Sequence, residues 1–214
     1  MMSPALMPKT TFVDSIFGKS FAASAMFVVA GAAFTAIAAQ FVVPLYPVPA
    51  TAQTLAVLVV GMMLGALRGM LSMLIYAALG AAGLPVFGGA SGGIDVIAGP
   101  SGGYIAGFVL CAGITGSIAE QRWARNFWGT VAVGTIGTLS IYLPGLLWLA
   151  AVLNRQGVRS DLERVLDAGA GPFWVSAPLK ILLAAGIMWM SRRGISRSVA
   201  AATAVAAGTT GVRN

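Results

Sequence analysis

A lysine placed inside an apolar run is the first residue that invites a chemical reading. Lys180 sits in WVSAPLKILLAAGIMW, with no acidic residue within several turns on either side. At the centre of a membrane helix a lysine costs about 2.5–3.5 kcal/mol on insertion scales, and such residues either snorkel or serve a function. A fixed cation for an anionic ligand is the functional reading, because a carboxylate partner would offset much of the burial cost. Counted from Pro172, Lys180 lies about eight residues, or ~12 Å, into its run.

The second feature is GLPVFGGASGGIDVIAGPSGGY, Gly83 to Tyr104, which holds eight glycines between two apolar segments. A phosphate cradle of the Walker type needs a Lys-Ser/Thr pair after the last glycine, since the lysine meets the phosphates and the hydroxyl meets magnesium. Here Tyr104 and Ile105 follow, so nucleotide binding and a self-contained ATPase are rejected. Two readings stay open: a re-entrant linker packed on helices, or a lid whose backbone approaches an uncharged polar ligand, with Pro85, Phe87 and Tyr104 as walls. Gln53, beside the proline-rich PLYPVPAT, could bond a urea or amide group of a ligand or serve as an interhelical link. Gln40 is more ambiguous still.

Other chemistries lack their residues. The chain has no histidine and one cysteine, Cys111. An internal disulfide, a Cys/His zinc site, an Fe–S cluster and a Ser-His-Asp triad are therefore excluded. An intramembrane enzyme would need a catalytic constellation, and without histidine or paired membrane carboxylates none is apparent. No metal and no cofactor is expected.

The elements that must position these residues are membrane helices. Of 214 residues 58% are hydrophobic and 9% charged, against about 25% charged in soluble domains. The net charge of +7 would point to nucleic acid in a soluble protein. Here the basic residues flank apolar runs, so the expected surroundings are membrane lipid and not nucleic acid. Six runs follow one another: Phe21 to Val43, Thr51 to Leu67, Gly69 to Ala82, Tyr104 to Ala119, Phe127 to Leu153 and Pro172 to Met190. The first is too long for a typical signal-peptide core and reads as a retained helix. The second and third are short for spans of ~20 residues and read as a tight hairpin of short or tilted helices. The expected fold is an all-α membrane protein of six transmembrane helices with a glycine-rich outer lid. A segment 1–20 precedes one domain, 21–191, and the tail 192–214, frayed after Val199, follows it.

Orientation comes from the basic residues. Lys9, Lys19, Arg68, Arg122, Arg125, Arg192, Arg193, Arg197 and Arg213 fall on one side, against Arg155, Arg159 and Arg164 on the other. The richer side should be cytoplasmic, with both termini there and the glycine stretch outside. In the first run Ala32 and Ala36 are four apart, a spacing that lets a second helix approach closely, either from this chain or from a partner.

Several strings together resemble one family. PxTxQTLAV over 49–57, LGxxRGxxS over 64–72, GLPVF over 83–87 and GPxGGY over 99–104 occur in the order found in the BioY family. These proteins are biotin-specific substrate-binding (S) components of energy-coupling factor (ECF) transporters, and the resemblance runs from about 30 to 190. It implies six helices with an outward-facing biotin pocket built from the outer loops, and Gln53, Phe87, Gly89, Ser91, Tyr104 and Lys180 at that pocket. It implies two kinds of partner: a transmembrane coupling protein (T component), met by a small-residue face at Ala32 and Ala36, and two cytoplasmic ATPases. ATP hydrolysis is expected in those partners, in a bacterial cytoplasmic membrane, and not in this chain. Two positions depart from the family pattern. Ala177 stands where an aspartate tends to precede the lysine, and Gly88-Gly89-Ala90-Ser91 lacks an asparagine. Ser176 and Asp95 are the nearby groups that could replace the lost polarity. The departures leave room for another vitamin, of thiamine or riboflavin type.

Overall fold

The computed structural model describes residues 20–158 and 161–210, with side chains for 20–158, 161–171 and 173–194. The segment 1–19 with Lys9 and Lys19, Arg159, Arg213 and the side chain of Arg197 lie outside the described residues.

All six apolar runs form helices, with shifted ends. Helix α1 spans Phe21–Ala39, α2 Gln53–Leu64, α3 Ala66–Ala81, α5 Gly102–Ala119, α6 Phe127–Arg155 and α8 Ser176–Thr210; short α4, Ile94–Ala98, and α7, Leu162–Gly169, lie in the loops. Among the described residues, three of these, α1, α5 and α6, are long and apolar enough to cross a membrane. The first run stops four residues early. Pro44, Pro47 and Pro49 remove amide donors and bar the preceding residues from helix. The chain instead makes a small antiparallel hairpin, β1 Val42–Val43 with β2 Ala50–Thr51, pairing Val42 with Thr51 and Val43 with Ala50. The peptide Tyr46–Pro47 is cis. Nothing in the apolar pattern anticipates this hairpin.

Two corrections concern the sixth run. The tail does not fray after Val199: α8 continues unbroken through Thr210. Its start also moves. Gly171–Phe173 is a separate 3₁₀ turn, so Lys180 is the fifth residue of α8, only ~6 Å along the axis.

Helix α2 is the centre of the packing. It is 12 residues long, about 18 Å at 1.5 Å per residue, too short for a ~30 Å hydrocarbon layer on its own. It can be short because α1, α3, α5, α6 and α8 all pack on it. Val57 and Leu58 are fully buried there, as are Met73 and Tyr76 of α3, Val133 and Leu149 of α6 and Met188 of α8, all in one core cluster.

Close approach requires small residues, and the sequence supplies them at the crossings. A Cβ on Gly107 would meet the Ile141 backbone at 2.8 Å, tying α5 to α6. Gly65, at φ 82°, ends α2 and lets α3 begin at once. Gly116 of α5 sits on that corner, where a Cβ would fall 2.4 Å from the backbone of Gly65 and Ala66. The same end carries the α5–α6 joint. There Arg192 donates to the carbonyls of Ala124 at 3.2 Å and Ala119 at 3.4 Å, and Arg193 lies 3.6 Å over the Trp189 ring. With Arg68, Arg122 and Arg125 on its turns, this is the basic end of the bundle.

The small-residue pair of α1 serves an internal contact. Ala32 is 3% exposed and Ala36 is half-buried against the core. Neighbouring Gly31 lies so close to Ser72 that a Cβ would sit 2.6 Å from its hydroxyl. The outward face of α1 is a different one, with Met26, Val29, Phe34 and Ile37 exposed.

The Gly116 corner gives a stability prediction. Gly116→Ala has backbone neighbours that cannot rotate away, so it should destabilise the protein by about 1–3 kcal/mol. Gly186→Ala, in α8 with nothing within 4 Å of the added Cβ, should be neutral or stabilising by up to ~1 kcal/mol. Thermal unfolding of the two variants in detergent, side by side, measures the difference.

Candidate functional site

At the end of the bundle opposite Arg68, Arg122, Arg125, Arg192 and Arg193, the hairpin, the glycine stretch and the Gly171–Phe173 turn converge on one cavity. Its inner surface is Ile105 and Phe108 of α5 with Thr138 and Ile141 of α6. Phe87, Tyr104, Tyr142 and Phe173 supply aromatic surface, and Thr51, Gln53, Ser91, Ser101 and Lys180 supply polar groups. Val48, Pro49 and Val96 line it from the loops.

Each aromatic is fixed by something behind it. Phe87 is 1% exposed and fills the space over Gly80, where a Cβ would lie 2.0 Å from the ring. It meets Tyr76 edge-on, with centroids 5.4 Å apart. Tyr104 packs flat against Gly145 and donates its hydroxyl to the Gly169 carbonyl at 2.8 Å. That bond ties α5 to the end of α7 and so places the turn that carries Phe173. Tyr104, Tyr142 and Phe173 form a three-ring cluster with centroids 6.3–6.4 Å apart.

The glycine stretch is folded rather than loose. Phe87 N donates to Ser91 O at 2.9 Å and Gly93 N to Gly80 O at 2.7 Å. Ser91 Oγ donates to Gly88 O at 2.8 Å, and Trp148 Nε1 holds Gly99 O at 2.9 Å. Gly89 and Ala90 take φ of 68° and 55°, a region that glycine enters freely and alanine only at a cost.

Gln53 is buried and already engaged. Thr51 Oγ1 donates to its Oε1 at 2.6 Å, its backbone N–H donates to Thr51 Oγ1 at 3.2 Å, and its Nε2 donates to the Tyr76 hydroxyl. A primary amide has two donors and two acceptor lone pairs, so one of each remains for the cavity. The interhelical link and the ligand contact considered from sequence are thus compatible. Lys180 is half-buried at the cavity, and no acidic group among the described residues pairs with it.

Of the residues expected at the site, Gln53, Phe87, Ser91, Tyr104 and Lys180 share this cavity. Gly89, Asp95 and Ser176 are not among its lining residues. Gly89 has no neighbour within 4 Å of an added Cβ. Asp95 is exposed on α4, whose next residue, Val96, turns inward instead. The Ser176 hydroxyl bonds the Phe173 carbonyl at 3.3 Å. Sequence reasoning missed Thr138 and Tyr142, although the pair carried a signal: two hydroxyl residues four apart in a membrane helix share one face. Cys111 is fully buried where α5 meets Gly137 of α6, away from the cavity lining. The site therefore offers one cation, several neutral hydrogen-bonding groups and aromatic walls. That set is complementary to an amphipathic ligand with a flat body, a neutral polar head and one negative charge.

The family model for the BioY family matches residues 8–197. A protein of Thermotoga maritima described as "Biotin transporter BioY" is 35% identical over 153 residues, covering 72% of this chain and 86% of that one. A "Probable biotin transporter BioY" of Pyrococcus horikoshii is 44% identical over 119 residues, 55% of this chain and 68% of its own. A crystal structure of the S-component for biotin from an ECF-type ABC transporter superposes with a TM-score of 0.68 at 25% identity, covering 80% of this chain and 92% of that one. With its strings, its fold and this match over most of its length, the chain belongs to the BioY family.

Proposed function

We propose that this chain is the biotin-binding S component of an ECF-type importer. The observation that carries the reading is the placement of a carboxylate-free lysine in the same cavity as a buried carboxamide and four aromatic rings. The bicyclic body of biotin packs among Phe87, Tyr104, Tyr142 and Phe173. Its ureido group bonds the free donor and acceptor of Gln53, helped by Thr51 and Ser91. Its valerate carboxylate meets Lys180, near the amino end of α8, where the helix dipole also favours an anion. No covalent step is involved. The relatives' descriptions as biotin transporters agree with this assignment.

In the proposed arrangement α1, α2, α3, α5, α6 and α8 are six spans of a bacterial cytoplasmic membrane, with both termini on its cytoplasmic side. The support is the gathering of Arg68, Arg122, Arg125, Arg192 and Arg193 at the end opposite the cavity, since cytoplasmic loops carry the excess of basic residues. The cavity then faces outward. A T component and two cytoplasmic ATPases, implied by the family, drive the release of biotin inside.

Two predictions test the site. Purified protein should bind biotin saturably, in preference to thiamine or riboflavin. Lys180→Ala should weaken biotin about 10–150-fold, the equivalent of ~1.5–3 kcal/mol for a charged hydrogen bond. Biotin methyl ester should lose nothing in the same variant and gain up to about threefold, since a neutral ester makes no ion pair and no longer strands a charge. Equal losses for the two ligands would remove the carboxylate role, and absence of saturable biotin binding would sink the function. Separately, Asp95→Asn and Ser176→Ala, both outside the cavity lining, should leave biotin affinity within about twofold by titration calorimetry, as expected away from contact residues.

A further inference from the structure

The hydrogen bonds around Gln40 carry a role beyond ligand contact. Gln40 is the residue that ends α1, immediately before the hairpin, and its side chain is exposed outside the cavity. Its amide is nevertheless committed in three directions. Nε2 donates to Ala36 O at 2.9 Å, one turn back in α1, and to Phe87 O at 3.4 Å. Oε1 accepts from Ala90 N at 2.9 Å. The donor faces two carbonyls and the acceptor faces an N–H, so the amide fits in one orientation only.

Two other anchors of the glycine stretch lie after the turn at 88–91. Gly93 N bonds Gly80 O and Gly99 O bonds Trp148, while the turn at 88–91 is closed on itself by Phe87–Ser91 and Gly88–Ser91 bonds. Across that turn, among the described residues, Gln40 is the side chain that bonds it to another element. The turn also contains Ala90 at φ 55°, a conformation that costs a non-glycine residue free energy and persists only when neighbours hold it. The N–H of that same residue is the one Gln40 accepts. The adjoining Phe87 and Ser91 line the cavity.

We propose that Gln40 is a positioning residue for ligand retention: it latches the Phe87–Ser91 turn to the end of α1, so that the turn stays closed over the bound ligand. The latch acts on escape more than on entry, because the two bonds to Phe87 O and Ala90 N must break for the turn to lift. For its ligand arm this rests on biotin as the ligand, while the motion of the turn can be read without any ligand.

The test uses the full-length protein in detergent, as wild type, Gln40→Ala and Gln40→Met. Methionine has similar length and no amide, which separates hydrogen bonding from packing. Amide hydrogen exchange resolved at Ala90, without ligand, should be about tenfold faster in both variants than in wild type, the size of one or two net hydrogen bonds. Exchange in α5 and α6 should not change. Biotin dissociation should rise by a similar factor, with association within about twofold. Unchanged Ala90 exchange in both variants would overturn the latch. Faster exchange with unchanged biotin dissociation would overturn its role in retention, as would loss of association alone. If wild type does not bind biotin, the functional assignment fails and the exchange measurement alone decides the latch.

Discussion

Irregular backbone inside an apolar layer must find every hydrogen-bond partner within the protein, because lipid offers none. Buried irregular backbone at the cavity end of this chain meets a similar demand, since buried polar groups need partners wherever they lie. The hairpin, the glycine turn and the 3₁₀ turn before α8 all leave regular helix, and their exposed amides and carbonyls are met by specific side chains. Trp148 takes the Gly99 carbonyl, Tyr104 the Gly169 carbonyl, and Gln40 the Phe87 carbonyl and the Ala90 amide. The same bonds that satisfy the backbone also aim Phe87, Tyr104 and Phe173 at one space. A side chain recruited to close a loop thus becomes part of the wall of a site, and the two roles cannot be separated at Tyr104.

A second constraint sets how near the helices come. With lipid outside and few charges inside, helix association depends on van der Waals fit, and small residues admit it. Gly107 against Ile141, Gly116 against the α2–α3 corner and Gly31 against Ser72 are contacts of this kind. With α1, α3, α5, α6 and α8 all packed on it, α2, too short to cross a bilayer alone, becomes the centre of the domain. Tyr76 on α3 shows the packing and the site joined. It holds Gln53 through its hydroxyl and Phe87 through its ring edge, so the polar and apolar sides of the cavity share one support.

Much of this architecture was legible in the sequence because hydrophobic run length reports helices directly. All six runs became helices, and five of the eight expected binding residues share the cavity. The errors lie where a local pattern is settled by distant contacts. Lys180 read as deep because Pro172 looked like the start of its helix; the turn at Gly171–Phe173 takes those residues instead. Ala32 and Ala36 read equally as an outer or inner face, since spacing fixes that residues share a face and not which way it points. Gln40 was ambiguous for the same reason: its partners are 47 and 50 residues away. Asp95 was attractive as the charge nearest to a missing polar group, yet α4 points its neighbour Val96 into the cavity.

The shallow position of Lys180 changes the electrostatic argument rather than weakening it. A cation buried deep and unpaired would cost several kcal/mol, and the fold would have to carry that cost whenever the cavity is empty. In the first turns of α8, half-buried, the ammonium keeps part of its hydration, so the empty state is tolerable. A ligand that enters removes that water. An anionic ligand replaces it with a charged partner, whereas a neutral ligand of the same shape leaves the lysine desolvated and unpaired. In the proposed role of Lys180, rejection of a neutral ligand would arise from the cost of a stranded charge, the same asymmetry that makes removal of one member of a buried pair so damaging. A single lysine without a carboxylate neighbour is better suited to this than an ion pair would be, because an internal partner would satisfy the cation before any ligand arrived.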